Sequence, residues 1–282
     1  MTINELLDSA KLELNTPECV LAAEVLLAHA LGVTKEKLFL QVNAEVEDHR
    51  ARFFGELVAR HGRGEPIAYL TNCKQFYGLD FFVNANVLIP RPETEMLVDA
   101  VLEFAKEYEP DAGLLSVLDV GTGCGNIAVA LAKNLPDAQI TAVDVSAEAL
   151  EVAKKNAVIH NVSSRIDFLV SDLLENVSGD FDVIVVNLPY IGVDKFNFVS
   201  KEALDYEPHT ALFGGTDGLC LYEKLFLQIK KINMQSGLIL GEFGFAQGDS
   251  IRELLSASFG ESGWFIEKDL ASIERMFVVK SV

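Results

Sequence analysis

The sequence predicts an α/β protein in which a mainly parallel, helix-covered sheet follows a small bundle of helices. Two patterns carry that prediction. From about residue 115 short apolar runs alternate with helical stretches, as in strands joined by crossover helices. Residues 1–70 instead show helical spacing throughout. The length of 282 residues, half of them hydrophobic, suits one large or two moderate domains with full cores.

Leu6, Leu7 and Ala10 share one helical face. Thr16-Pro17-Glu18 then opens a run to Gly32, with a cap residue, proline at the first helical position and glycine beyond the end. Thr34 and Asp48 read as further caps, so four short amphipathic helices are expected to bury their apolar faces as a bundle. Between Gln75 and Ile89 the pattern turns aromatic and β-branched with turn residues inside, which predicts a hairpin connector. Pro90 and Pro92 follow, and Thr94 opens a helix through Glu107.

Strands are predicted at Ser116–Leu118, Gln139–Val143, Ile166–Val170, Asp182–Val186 and Leu238–Leu240, with helices at Ile127–Asn134 and Ala147–His160. Trp264–Glu267 and Met276–Lys280 are strand-like with only a turn between them, which predicts an antiparallel hairpin at one sheet edge. The expected division is a helical domain over residues 1–72, a connector over 73–92 and an α/β domain over 93–282.

The chain carries 23 basic and 42 acidic side chains, a net charge of −19. Residues 91–282 hold 15 basic and 30 acidic residues, so −15 falls there. Such a field repels phosphate backbones and anionic lipids, which argues against stable nucleic-acid or membrane binding. Cys19, Cys73, Cys124 and Cys220 form no CxxC pair, so neither a disulfide framework nor a zinc site is expected and a reducing cytoplasm fits. The start lacks a basic region followed by an apolar run. No surface pattern marks a dimer, and a monomer is expected.

The strand at Val117-Leu118 runs into Asp119-Val120-Gly121-Thr122-Gly123-Cys124-Gly125. Alternate glycines allow positive φ and bring backbone N–H groups close to a ligand. The spacing is GxGxG rather than the GxGxxG of dinucleotide sites. Asp119 beside such a turn would repel a pyrophosphate but favour a cation, which points to S-adenosylmethionine, with its ammonium and sulfonium, and away from NAD. Asp144 closes the second strand, 23 positions after Gly121, where a carboxylate can accept both ribose hydroxyls. Asp172 closes the third, where it or its neighbours could meet the adenine amino group. No metal-ligand spacing appears among the histidines, and Cys124 reads as small-residue packing within the turn.

The fourth strand ends in Asn187-Leu188-Pro189-Tyr190. An amide nitrogen is a poor nucleophile because its lone pair is delocalised. Two acceptors on its N–H bonds, the Asn187 side-chain oxygen and the carbonyl of residue 188, would draw density onto it and align it with a sulfonium methyl group. Tyr190 could stack on the substrate's flat face.

At these residues the chain resembles the peptide chain release factor glutamine methyltransferases of the HemK/PrmC type. The resemblance extends to Arg63–Leu70, Phe76-Tyr77-Gly78-Leu79, Ile89-Pro90-Arg91-Pro92-Glu93-Thr94-Glu95, Glu207-Pro208, Gly214–Leu219 and Glu242-Phe243-Gly244 with Gln247. It implies a Rossmann-like class I S-adenosylmethionine-dependent methyltransferase that methylates the glutamine of the Gly-Gly-Gln motif in class 1 release factors, modulating translation termination and releasing S-adenosylhomocysteine. It also implies that Gly121, Thr122, Gly123, Cys124, Gly125, Asp144, Leu173 and Asn187 hold the cofactor, and that Asn187 to Tyr190 hold the glutamine. The charge argument adds Asp119 and Asp172. Residues 1–72 would help to hold the release factor. The family usually has Asn-Pro-Pro-Tyr, and Leu188 at its second position loses proline's fixed φ while keeping the carbonyl. Leu173 stands where some relatives have an aromatic residue. Arg91, in a rigid segment between two prolines, is a candidate for either a substrate or a structural contact. Two other readings stand beside this one: an adenine-N6 DNA methyltransferase, opposed by the charge, and an adenosine-ligand-binding interaction protein in which Leu188 has ended catalysis.

Overall fold

Thr2 opens the chain with a capping box: its hydroxyl accepts from Glu5 N at 3.3 Å, and the Glu5 carboxylate accepts from Thr2 N at 2.8 Å. This starts α1 (Ile3–Leu14). Helix α2 (Cys19–Leu31) begins later than the Thr16-Pro17-Glu18 reading places it, because Thr16 makes a backbone turn to Cys19 N at 3.1 Å and Glu18 holds the cap position without a side-chain bond. Gly32 closes α2 at φ 65° as expected. Thr34 caps α3 (Lys35–Leu40) through Lys37 N at 3.4 Å. Asp48 is the first residue of α4 (Asp48–His61) rather than its cap. A further short helix, α5 (Ile67–Thr71), lies beyond the four expected. Helix α2 presents Ala22, Ala23, Leu26, Leu27 and Ala30 to the core and packs on α1, α4 and α5, its alanines letting neighbouring backbones come close.

The computed structural model describes residues 1–108, 114–193, 199–232 and 237–280. The chain divides into two compact units, Met1–Cys73 with Val199–Tyr206, and Lys74–Phe198 with Glu207–Val282. The first unit therefore includes a returning segment from late in the chain. Its helix α9 (Lys201–Tyr206) ends at Tyr206, whose hydroxyl donates to the Arg63 carbonyl at 3.2 Å.

Of the segment 73–92 read as a connector, Cys73 belongs to the first unit and residues 74–92 to the second. Strands β1 (Lys74–Phe76) and β2 (Leu79–Phe81) flank a two-residue turn with Tyr77 at φ 51° and Gly78 at φ 71°, the signs of a type I′ turn. Tyr77 is held there by Glu95, which accepts from its N–H at 2.7 Å, and by Asp99, which accepts from its hydroxyl at 2.6 Å. Both acceptors are on α6 (Glu95–Glu107). Residues 82–89 leave the strand pattern, and the buried Asn156 on α8 (Ala147–Ile159) pins them. Its amide accepts from Phe82 N at 2.8 Å and donates to the carbonyls of Phe82 at 2.9 Å and Cys124 at 2.8 Å.

Strands β3 (Ser116–Val120), β4 (Gln139–Asp144), β5 (Ile166–Val170), β6 (Val183–Val186) and β7 (Leu238–Glu242) are parallel, and β8 (Trp264–Lys268) and β9 (Glu274–Lys280) complete a sheet of order β5-β4-β3-β6-β7-β9-β8. The predicted edge hairpin is present, with β9 inserted between β7 and β8 and antiparallel to both. Helices α7 (Asn126–Asn134), α10 (Cys220–Ile232) and α11 (Gly248–Phe259) complete the layers; the last two lie between strands for which no helix was assigned from sequence. Strand order reverses between β3 and β6, the topological switch point at which ligands sit. Val120 pairs with both Val143 and Val186, so the glycine turn, Asp144 and Asn187 come to one rim.

Candidate active site at the switch point

A cleft of about 1010 Å³, counting its open mouth, lies over that rim. Gly121, Thr122, Gly123, Cys124, Asp144, Asp172, Leu173, Asn187, Leu188 and Pro189 line it; Asp119, Gly125 and Tyr190 do not. The three turn glycines have φ of 77°, 54° and 81°, yet each has its own reason to lack a side chain. A Cβ at Gly121 would stand 3.1 Å from Leu188 Cδ2, and one at Gly125 would stand 3.0 Å from Ala153 Cβ on α8. A Cβ at Gly123 would meet only open space. Gly125→Ala is therefore expected to lower stability by about 1–3 kcal/mol through left-handed strain plus crowding. Gly123→Ala should cost less stability and weaken cofactor binding more. Thermal unfolding and cofactor titration of both variants check the contrast.

Asp119 is fully buried beneath the turn rather than beside a ligand, which corrects its expected placement. One carboxylate oxygen accepts from the Thr122 hydroxyl at 2.7 Å and Ala128 N at 3.2 Å, while Oδ1 has no partner among the described residues. Burial pushes this carboxyl up to about 7, against the pull of Thr122 and Ala128. A raised acid stabilises the fold fully below its ordinary 3.8 and loses that contribution as pH rises through about 7. Asp119→Asn is thus expected to raise the melting temperature of the ligand-free protein at pH 8 but not at pH 5. It should also weaken binding of a cationic cofactor at pH 8. Calorimetry at the two pH values and a titration at pH 8 decide it.

Asp144 sits at the rim, with Oδ2 accepting from Gly123 N and Oδ1 from Ser146 N, both at 2.9 Å. Burial raises its carboxyl, opposed by these N–H groups. Each oxygen keeps a second lone pair for a ligand hydroxyl. Asp172 is engaged by Lys224 Nζ at 2.6 Å, so its charge is already partnered. Next to it Leu173 is buried and held at φ 55°, an unusual conformation for leucine, on the cleft wall. Cys124 is buried and burial pushes its thiol up to about 12, consistent with packing rather than thiol chemistry.

Asn187 follows β6, and its Nδ2 donates to Thr94 Oγ1 at 3.0 Å and Glu242 Oε2 at 3.3 Å. The Thr94 hydroxyl gives its own proton to Glu242 Oε2 at 2.6 Å. The reversed amide would set Oδ1 against two acceptors, so this network fixes which end of Asn187 faces away from it. Oδ1 has no partner among the described residues and is not among the buried unsatisfied atoms, while Asn187 lines the cleft. The Tyr190 hydroxyl also donates to Glu242, at 2.9 Å. That bond draws the ring toward the sheet core, where it packs, and away from the cleft wall, which corrects the stacking role expected for it. Leu188 is buried, and its N–H donates to the Tyr222 hydroxyl at 3.3 Å, a bond proline could not make. Tyr222 in turn donates to the Glu242 carbonyl.

Thr94, expected only to open a helix, and Glu242, marked only by the family resemblance, are therefore also part of the site. Thr94 does not cap α6 by its side chain, because its hydroxyl serves Glu242. Arg91 has a structural contact: it donates to Glu207 Oε1 at 2.6 Å and the Ile89 carbonyl at 2.9 Å, while Glu207 Oε2 accepts from Ile89 N at 3.0 Å. This clamp holds the cleft segment around Pro90, and Arg91 itself lines the cleft. No group of side chains able to hold a metal occurs among the described residues.

The donor set fits S-adenosylmethionine. An open backbone cradle at Gly123 and the spare carboxylate lone pairs of Asp144 match a ligand with hydroxyls and positive charge. Sheet order and cleft together define an S-adenosylmethionine-dependent methyltransferase of the seven-stranded class I type. Family models described as "Methyltransferase small domain" and "PrmC N-terminal domain" match residues 101–205 and 5–71. The chain is 39% identical to a release factor glutamine methyltransferase of Koribacter versatilis, covering 99% of this chain and 98% of that one. It is 34% identical to one of Bacillus cereus over 90% of each. The chain thus belongs to the release factor glutamine methyltransferase family. It also matches a bifunctional methyltransferase of Rickettsia bellii at 34% identity, spanning 95% of this chain but 52% of the relative. Among solved structures the N-terminal domain of human METTL16 in complex with SAH shares the fold, with TM-score 0.51, 16% identity and 85% coverage of both chains.

Proposed function

We propose that this chain transfers a methyl group from S-adenosylmethionine to the side-chain amide nitrogen of the glutamine in the Gly-Gly-Gln motif of class 1 release factors, releasing S-adenosylhomocysteine. The observation that carries this reading is Asn187, whose amide is locked by Thr94 and Glu242 so that its oxygen is left for the cleft. The cofactor supplies a methyl group on a positively charged sulfur. Asn187 Oδ1 and the Leu188 carbonyl accept the two N–H bonds of the glutamine amide, holding its nitrogen in line with that methyl and favouring the positive charge it gains as the N–C bond forms. With the cofactor bound, the C–S electron pair would stay with sulfur, and the excess proton would leave the alkylated nitrogen for solvent without a strong base. Asp144 accepts the ribose hydroxyls, the glycine turn offers its N–H groups, and Asp119, when ionised, adds negative potential from beneath the turn. Leu173 packs on the adenine.

Residues 1–72, with the returning segment 199–206, act as the recognition unit, and the second unit, which takes in the hairpin segment from Lys74, acts as the catalytic one. The chain works as a cytoplasmic monomer on a protein, with no stable nucleic-acid or membrane partner; no described helix is long and apolar enough to cross a membrane. Radiolabel transfer to a recombinant release factor, its Gln-to-Ala loop variant and duplex DNA tests the reading. Label on the first alone is expected. Label on DNA, or cofactor binding without transfer to any of them, overturns it.

A further inference from the structure

The surplus acidity of residues 91–282 is partly organised in space. On α6, Glu95, Asp99, Glu103 and Glu107 recur every four residues and form one ridge, an arrangement that is unfavourable to the helix itself. Met96, Ala100 and Phe104 recur one position later and form an apolar ridge beside it. Both ridges wall a groove of about 1720 Å³, counting its open mouth, that runs from α6 over β7, β9 and β8. Leu238, Val278 and Phe265 form its floor, and Phe265, paired directly with Val278, is 39% exposed. Phe277, the residue before Val278 on β9, points to the other face and packs in the core with α10 and α11. Glu95 and Asp99 hold Tyr77, and Glu103 pairs with Lys106, whereas Glu93, Glu107 and Glu267 at the groove make no ion pair among the described residues. Lys268 and Lys280 also line the groove, so its acidic groups outnumber its basic ones.

We propose that this groove docks a basic segment with one apolar face, contributed by the protein substrate and lying along α6. The inference rests on the methyl-transfer reading and extends it to a second contact away from the reacting glutamine. The apolar floor gives such a segment somewhere to bury side chains, and the acidic wall meets its Lys and Arg residues while speeding encounter.

The test compares the full-length wild type with a triple variant, Glu103→Gln, Glu107→Gln and Glu267→Gln, and with a control losing the same charge elsewhere, Glu151→Gln, Glu253→Gln and Glu261→Gln. Each is assayed for transfer to intact release factor and for cofactor affinity. The groove variant is expected to raise KM for the intact factor about ten-fold at low salt, with a flatter salt dependence, while kcat and cofactor affinity hold and the control changes little. An unchanged KM, or an equal rise in the control, overturns the groove while leaving the methyl-transfer reading standing. Absence of transfer by the wild type overturns that reading and the groove with it. A shift from dimer to monomer in sedimentation of the groove variant would assign the groove to a second copy of this chain and also overturn the proposal.

Discussion

Asn187→Ala is expected to reduce methyl transfer by about 100- to 1,000-fold while cofactor affinity changes little. In the proposed mechanism the side chain lost is the acceptor for the substrate nitrogen, whereas the glycine turn and Asp144, proposed to hold the cofactor, follow β3 and close β4 and keep their own bonds. Asn187→Asp keeps an acceptor of the same shape, yet it should fail too. In place of Nδ2 it sets an oxygen 3.0 Å from Thr94 Oγ1 and 3.3 Å from Glu242 Oε2, where an amide now donates. Single-turnover transfer with cofactor binding measured in parallel separates the two effects. Near-normal turnover by Asn187→Ala would remove the acceptor pair from the mechanism.

The parts of this site that could be read from sequence are those whose signal is local. The GxGxG turn, the acidic strand ends and the asparagine after β6 each declare themselves within a few residues, and parallel pairing then brings them to one rim. The lock on Asn187 could not be read that way. Thr94 and Glu242 are 148 positions apart, and a threonine before a helix reads as a cap whether or not its hydroxyl turns inward. Asp119 was legible as an acid beside the turn, but strand alternation and burial place it beneath the turn, where it orders Thr122 and Ala128. The bond from the Tyr190 hydroxyl to Glu242 on β7 is of the same kind, a buried partner that no local pattern encodes. In the first unit, the returning helix α9 joins residues whose partners lie far earlier in the chain, again beyond what periodicity reports.

Removing the Thr94 hydroxyl without changing its shape, by Thr94→Val, is expected to lower kcat about 10- to 100-fold with little change in cofactor affinity. That hydroxyl does two things at once, accepting from Asn187 Nδ2 and donating to Glu242, so valine leaves one amide proton unpaired and leaves Glu242 Oε2 with the longer bond from Asn187 alone. Thr94→Ser retains the hydroxyl and should restore most of the rate, a rescue that a packing role for the methyl group would not produce. Glu242 behaves as the anchor of the same network. Burial raises its carboxyl, while donors from Thr94 and Tyr190 and the nearby Arg275 oppose that rise. Glu242→Ala leaves Thr94, Asn187 and Tyr190 without their shared acceptor and should lose both stability and rate. Glu242→Gln is expected to be milder than either Glu242→Ala or Thr94→Val. Its amide oxygen can take the Thr94 and Asn187 side, and the Tyr190 hydroxyl can rotate to accept from the new NH₂. If Gln at 242 proved as damaging as Ala, the carboxylate charge rather than the geometry it imposes on Asn187 would be the property that matters. The order of kcat across Thr94→Ser, Glu242→Gln, Thr94→Val and Glu242→Ala therefore distinguishes orientation of Asn187 from electrostatics at β7.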